Sequence, residues 1–245
     1  MSQRHGLGFS LLEILIGLML SSLILIALGQ YMGSIKNQAT HINDLFSEYA
    51  DLRRITSMLR ESTWQAGFTP CLNIDRLISL DRRTVSVALH ALNLHDGINI
   101  NRMRPRFSQI ISFDDPQSFT LQQSAGIMPG HAVIIADCVH AEVQSVLSIQ
   151  KTISGVRVRV KNALAFTYKP PVYVGEWLEE RFFVQKTSGH NSALFYESRH
   201  VDRLTDRVRA LTAKIQQLPL GRVLKITLAL DQNRTLDLHA RVRAL

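Results

Sequence analysis

Cysteine is nearly absent from this chain, with two in 245 residues. No Cys-x-x-Cys pair occurs, nor His-Glu-x-x-His, Gly-x-Ser-x-Gly or a phosphate-cradling glycine loop. His90 and His95 are five apart, which is not the i, i+4 spacing that sets two ligands on one helical face. These lacks argue against an enzyme and against a resident metal or cofactor. Proline is missing before Pro70, so nothing interrupts a helix over that stretch. Repeats and low-complexity segments are missing too. The composition, 46% hydrophobic and 20% charged, is that of a globular protein.

The most telling lack is charge near the N-terminus. From Phe9 to Leu28 the only charged residue is Glu13. At about 1.5 Å of rise per residue this run spans roughly 30 Å, one hydrocarbon core. A carboxylate inside such a helix costs about 2.5–3.5 kcal/mol on insertion scales, which a plain anchor has no reason to bear. An ordinary secretory signal is cleaved after its apolar stretch. Here the short polar leader, Met1 to Gly8, precedes the stretch, and the junction is Gly8-Phe9. The simpler reading is a signal anchor whose Glu13 reaches the interface. It accounts for neither the leader nor the junction.

Gly8, Phe9, the apolar run and Glu13 together resemble the class III signal of type IV prepilins. The resemblance implies cleavage after Gly8 by a prepilin peptidase and methylation of the new amine on Phe9. It implies that Glu13, five residues into the mature chain, pairs with the N-terminal ammonium of a neighbouring subunit and sets register. A buried carboxylate needs such a compensating partner. Orientation also follows from the resemblance, with the leader in the cytoplasm and the C-terminal domain in the periplasm. Arg4 and Lys36 flank the run too evenly to decide it by charge.

Beyond the run, Ile35, Ala39, Ile42, Leu45, Tyr49, Leu52, Ile55 and Leu59 recur at steps of three and four. Phe46, Met58 and Trp64 widen the stripe beyond a strict heptad seam. Gly67 suits a left-handed cap and Pro70 blocks continuation. The pattern predicts one helix over 9–66. The divisions are a leader at 1–8, a membrane or filament-core helix at 9–30, an amphipathic continuation at 31–66 and a globular domain at 67–245. Gly29 and Gly33 form a weak small-xxx-small pair. Many pilins carry a proline partway along this helix. Gln30 stands near that place here, which leaves open whether the helix melts in a filament.

From 71 to 130 the chain reads as irregular, with a short strand at 85–89 and a turn-rich stretch at 93–116. Strands are predicted at 132–136 and 156–160. A hairpin is predicted at 181–185 and 193–196, turning through Ser188 to Asn191. Leu204, Val208, Leu211 and Ile215 suggest a second amphipathic helix ending near Pro219. Alternation at 224–230 and a segment at 235–242 close the chain as strands. The predicted class is α+β, a long N-terminal helix packed on an antiparallel sheet domain as in pilins. In an exported chain, Cys71 and Cys138 read as one disulfide rather than two buried thiols.

Leu59-Arg60, Ala66-Gly67-Phe68 and Cys71, then Asp137-Cys138 after an apolar strand, then Phe182-Phe183-Val184 and Leu194-Phe195-Tyr196, are similar to PilW-type minor pilins. The J-type minor pseudopilins of type II secretion share much of the plan. The resemblance implies a scarce subunit of a tip complex that primes filament assembly. Its partners would be other minor and major pilins, the prepilin peptidase and the inner membrane. A role in secretion, or in DNA or surface binding at the tip, stays open. The net charge of +8 favours anionic partners, but is spread along the chain and reads first as solubility. Arg102, Arg104 and Arg106 are candidate anion contacts, as are Arg157, Arg159 and Lys161. No aromatic platform is visibly interleaved with either group.

Overall fold

The computed structural model describes residues 11–84, 87–95, 97–187, 192–219, 221–231 and 234–243. Gly8, Phe9 and the rest of the leader lie outside the described residues. So do Val85 and Ser86 of the predicted strand, the turn at 188–191, and Gln232 and Asn233. The chain divides into two compact units at Arg53/Arg54.

One helix, α1, runs from Leu11 to Trp64 without a break. Its apolar part contains Ser21 and Ser22, whose hydroxyls donate to Leu18 O (2.9 Å) and Met19 O (2.8 Å). That back-bonding satisfies the two hydroxyls within the helix itself. The helix ends as the sequence predicts. Gly67 has φ +70°, and a Cβ there would lie 2.3 Å from Asn73 Oδ1. Asn73 needs that space, because its Nδ2 donates to Ala66 O (2.9 Å) and to Arg243 O (3.1 Å). The helix end is thus tied to the chain's far terminus by one side chain.

The domain unit is mostly β. Its strands are β1 (Ile78–Asp81), β2 (Leu92–Asn93), β3 (Ile98–Asp115), β4 (Ser118–Leu121), β5 (Ala132–Ala136), β6 (His140–Thr152) and β7 (Gly155–Val160). They are followed by β8 (Tyr173–Lys186), β9 (Ser192–Glu197), β10 (Val201–Thr205), β11 (Val208–Leu218), β12 (Gly221–Leu230) and β13 (Thr235–Arg241). Six of them form a closed ring of antiparallel pairs: β3–β8, β8–β5, β5–β6, β6–β7, β7–β4 and β4–β3. Each strand of the ring sends side chains into one core, including Ile110, Phe119, Ile135, Val146, Val158 and Val174. Closure removes sheet edges and explains how the six strands hold together. From the ring, β8 extends through β9 to β10, β3 pairs β2, and β1 joins β6 in parallel.

Several expectations hold. The strands at 132–136 and 156–160 are β5 and β7, and the 181–196 hairpin is β8–β9, paired Arg181↔Glu197 through Lys186↔Ser192. Cys71 and Cys138 are disulfide-bonded, Cα–Cα 5.2 Å, across a separation of 67 residues. The bond joins the segment after the helix to the β5–β6 turn. It is worth about 4 kcal/mol in the chain-entropy picture.

Other expectations fail, and the stretch 71–130, expected to be irregular, also holds β1 and β4. The stretch at 93–116 is no turn region but carries β3, eighteen residues long. Pro105 hid it. The pairing of β3 with β8 skips between Met103 and Phe107, and that bulge absorbs a residue with no N–H to give. The second helix does not form, because Leu204 lies in β10 and 208–218 is the strand β11. Leu211 and Ile215 are four apart, a spacing common to one face of a helix and one face of a strand. Partnership with β12 decides, as ten residues pair from Val208↔Leu230 to Leu218↔Gly221. Within 85–89, Val87 makes only an isolated bridge to Asp81.

Candidate functional site

The first candidate is the helix carrying Glu13. Every residue from Leu11 to Gly33 is exposed in the chain. Added Cβ atoms at Gly17, Gly29 and Gly33 would meet nothing within 4 Å, so no close packing in this chain demands those glycines. Among the described residues one helix is long and apolar enough to cross a membrane. The predicted stripe is only partly used within the chain. Ile55 and Leu59 are buried and Leu52 is half-buried, while Ile35, Ile42, Leu45 and Tyr49 are exposed. An apolar surface of that length, with Glu13 near its start, is built to be covered.

The second candidate is a polar cleft of about 420 Å³ in the domain unit. It is lined by Glu61 of α1, Gln65 just beyond the helix, Arg102, Arg104, Tyr196 and Arg199, among others. Strand periodicity puts Glu176 and Glu180 of β8 on one face, and both are buried. Arg102 holds Glu180 through Nε–Oε2 and Nη2–Oε1, each 3.1 Å, and also donates to Gln65 Oε1. Tyr196 donates to Glu180 Oε1 at 2.9 Å. Burial and then the Glu180 charge push the Tyr196 hydroxyl up to about 12. Glu176 is gripped by Arg104 and Arg199, with His131 Nδ1 at 3.8 Å.

The candidate anion contacts lie in and around this arrangement. Arg102 and Arg104 are taken by carboxylates, and Arg106 packs its guanidinium beside Gly126. Arg157 of the second group binds Asp114 at 2.8 Å. Arg159 faces Asp115 closely enough to help hold that carboxyl below its ordinary range, after the Gln117 N–H and the Ser118 hydroxyl. Lys161 is exposed, and its backbone N–H donates to Ser145 O at 2.9 Å. Arg102, Arg104 and Arg157 thus serve as cross-links to carboxylates within the β domain. Glu176 and Glu180 had escaped notice in the sequence, although their i, i+4 spacing on a strand was a readable sign of one charged face.

A third cluster lies inside the ring. Glu142 and Gln144 share the face of Val146 on β6 and are fully buried. Burial pushes the Glu142 carboxyl up, offset in part by Ala165 N–H, which donates to both oxygens at 3.1 and 3.0 Å. The same burial, and next the Glu142 charge, keep the Tyr168 hydroxyl protonated. Nearby Asp137 behaves oppositely. Burial raises it, but the His140, Lys169 and Val139 N–H donors outweigh this and hold it below its ordinary value. Among the described residues no group of three or more His, Cys, Asp and Glu could hold a metal ion.

No family model, curated protein or solved structure matches the chain. What it shows in its own right is a single N-terminal apolar helix joined to an antiparallel, disulfide-bonded β domain.

Proposed function

We propose that this chain is a minor pilin of a type IV pilus, a membrane-held subunit of the complex that primes filament assembly. One observation carries the reading. A helix unbroken from Leu11 to Trp64 holds Glu13 as the only charge in its apolar part, and it leads straight into a β domain. An anchor needs about 20 residues of that helix and no charge. Assembly by lateral helix packing uses the remainder, and Glu13 pairs with the Phe9 amine of the adjacent subunit. The disulfide between Cys71 and Cys138 suits an oxidising compartment on the far side of the membrane.

The test is expression with a prepilin peptidase, followed by mass spectrometry of the N-terminus. The expected product begins at N-methylated Phe9, and retention of Met1 to Gly8 overturns the reading. Glu13→Ala is expected to be processed normally and to fail to enter filaments. Deletion of the protein is expected to abolish surface filaments. Loss of protein secretion with normal filaments would instead assign it to a type II secretion pseudopilus.

A further inference from the structure

The charge of this chain is not spread evenly once it is folded. Between Val208 and Arg243 lie seven Lys and Arg residues against two Asp, so this stretch holds +5 of the net +8. That stretch is the three-stranded sheet β11–β12–β13. One face is apolar and buried through Leu224, Ile226, Leu228 and Leu238. The other face carries Lys214, Lys225, His239 and Arg241, with Asp237 among them, while Arg222 and Arg209 pair with Asp75 and Asp231. Register sets Lys214 opposite Lys225, and Lys225 opposite His239, in one row across the three strands. Like charges directly opposite are destabilising in a sheet. Asp237 relieves Lys225 at 3.1 Å. Among the described residues Lys214 has no acidic partner.

The same strand has an open edge. Among the described residues β11 pairs only with β12, and its beginning, Arg209 to Leu211, borders β8 and β9 in a shared cleft. From Lys214 to Leu218 every residue is exposed, including Ile215 and Leu218. Edge strands are ordinarily blunted by charge, proline or shortness. β10 is five residues long with Asp202 and Arg203, and β13 carries Asp237, His239 and Arg241. β11 as a whole is eleven residues long, and within its exposed run 214–218 the only charge is Lys214, with Pro219 directly after it.

We infer that the 212–218 edge of β11 accepts an extended, acidic segment of a partner protein as a fourth strand. Main-chain hydrogen bonds to the edge would supply affinity, and an acidic side chain beside Lys214 would supply specificity. Protein is favoured over nucleic acid because no Phe, Tyr or Trp occurs between Val208 and Arg243, which leaves no stacking platform. It is favoured over a lipid surface because the open feature is a backbone edge, which a headgroup does not complete. This inference goes beyond the pilin reading and does not depend on it.

The test uses the full chain in detergent and amide hydrogen exchange resolved along β11. The probe is a synthetic peptide of about ten residues alternating Glu with Val, with a Lys–Val counterpart as control. The acidic peptide is expected to slow exchange of alternate amides in 212–218 by about tenfold or more, less so at high salt. Lys214→Glu is expected to abolish that protection while the β12 amides stay protected, and Lys214→Arg to retain it. No protection by the acidic peptide, or equal protection by the basic one, overturns the inference. So does Lys214-dependent binding of oligo-dT or phosphatidylglycerol vesicles without edge protection, which would make the face a general polyanion surface.

Discussion

Arg102 and Glu180 form a two-pronged ion pair, both prongs 3.1 Å, across the β3–β8 ladder. Both side chains are largely withdrawn from water, 12% and 6% exposed. A buried pair is costly to break, because the surviving charge stays desolvated. Arg102→Ala is therefore expected to cost about 3 kcal/mol or more in denaturant unfolding. Arg102→Met with Glu180→Leu is expected to recover most of it. Equal loss in the single and double variants would show that the pair itself stabilises.

Tyr196 reports on the same pair. Its hydroxyl is expected to ionise near 12, against about 10 for an ordinary tyrosine. Folding therefore favours its protonated form. The contribution is complete below about pH 10 and is lost as pH rises through the folded value. Ultraviolet titration checks this, with Glu180→Gln expected to bring the late tyrosine back toward 10.

Inside the ring the sign differs. The Glu142 carboxyl is raised by burial, so the folded chain holds its proton more tightly than the unfolded chain does. Stability falls as pH rises from about 4.3, the unfolded value, through the folded one. Glu142→Gln keeps an acceptor for Ala165 N–H and removes the charge. It is expected to raise the melting temperature at pH 7, with the gain vanishing near pH 4. A lower melting temperature at both would show that the carboxylate is stabilised by its surroundings.

Gly67 admits a direct test of the helix end. Gly67→Ala places a Cβ in a left-handed backbone and 2.3 Å from Asn73 Oδ1. The left-handed strain alone is about 1–3 kcal/mol. Displacement of Asn73 would also free the Ala66 and Arg243 carbonyls that it now binds. Unfolding free energy should fall by about 2 kcal/mol or more, with faster exchange at 222–223 if the link to Arg243 is lost. An unchanged stability would mean that the turn tolerates a side chain.

Features that depend on near neighbours were legible in the residues alone. The helix follows from the lack of proline and the spacing of apolar residues, and its end from Gly67. The strands β5, β7 and β12 follow from local runs and alternation. The two cysteines had only each other to pair with. Whatever depends on distant partners waited for the folded chain. β11 has a spacing that suits a helix as well as a strand, and β12 settles it. β3 is interrupted by Pro105, and only the ladder to β8 shows that a bulge carries the strand past it. Arg102 read as free to meet an anion until Glu180, 78 residues later, was brought against it. The physical reason is common to all three. Periodicity records which face a residue presents, while register and charge pairing are settled only when distant strands meet.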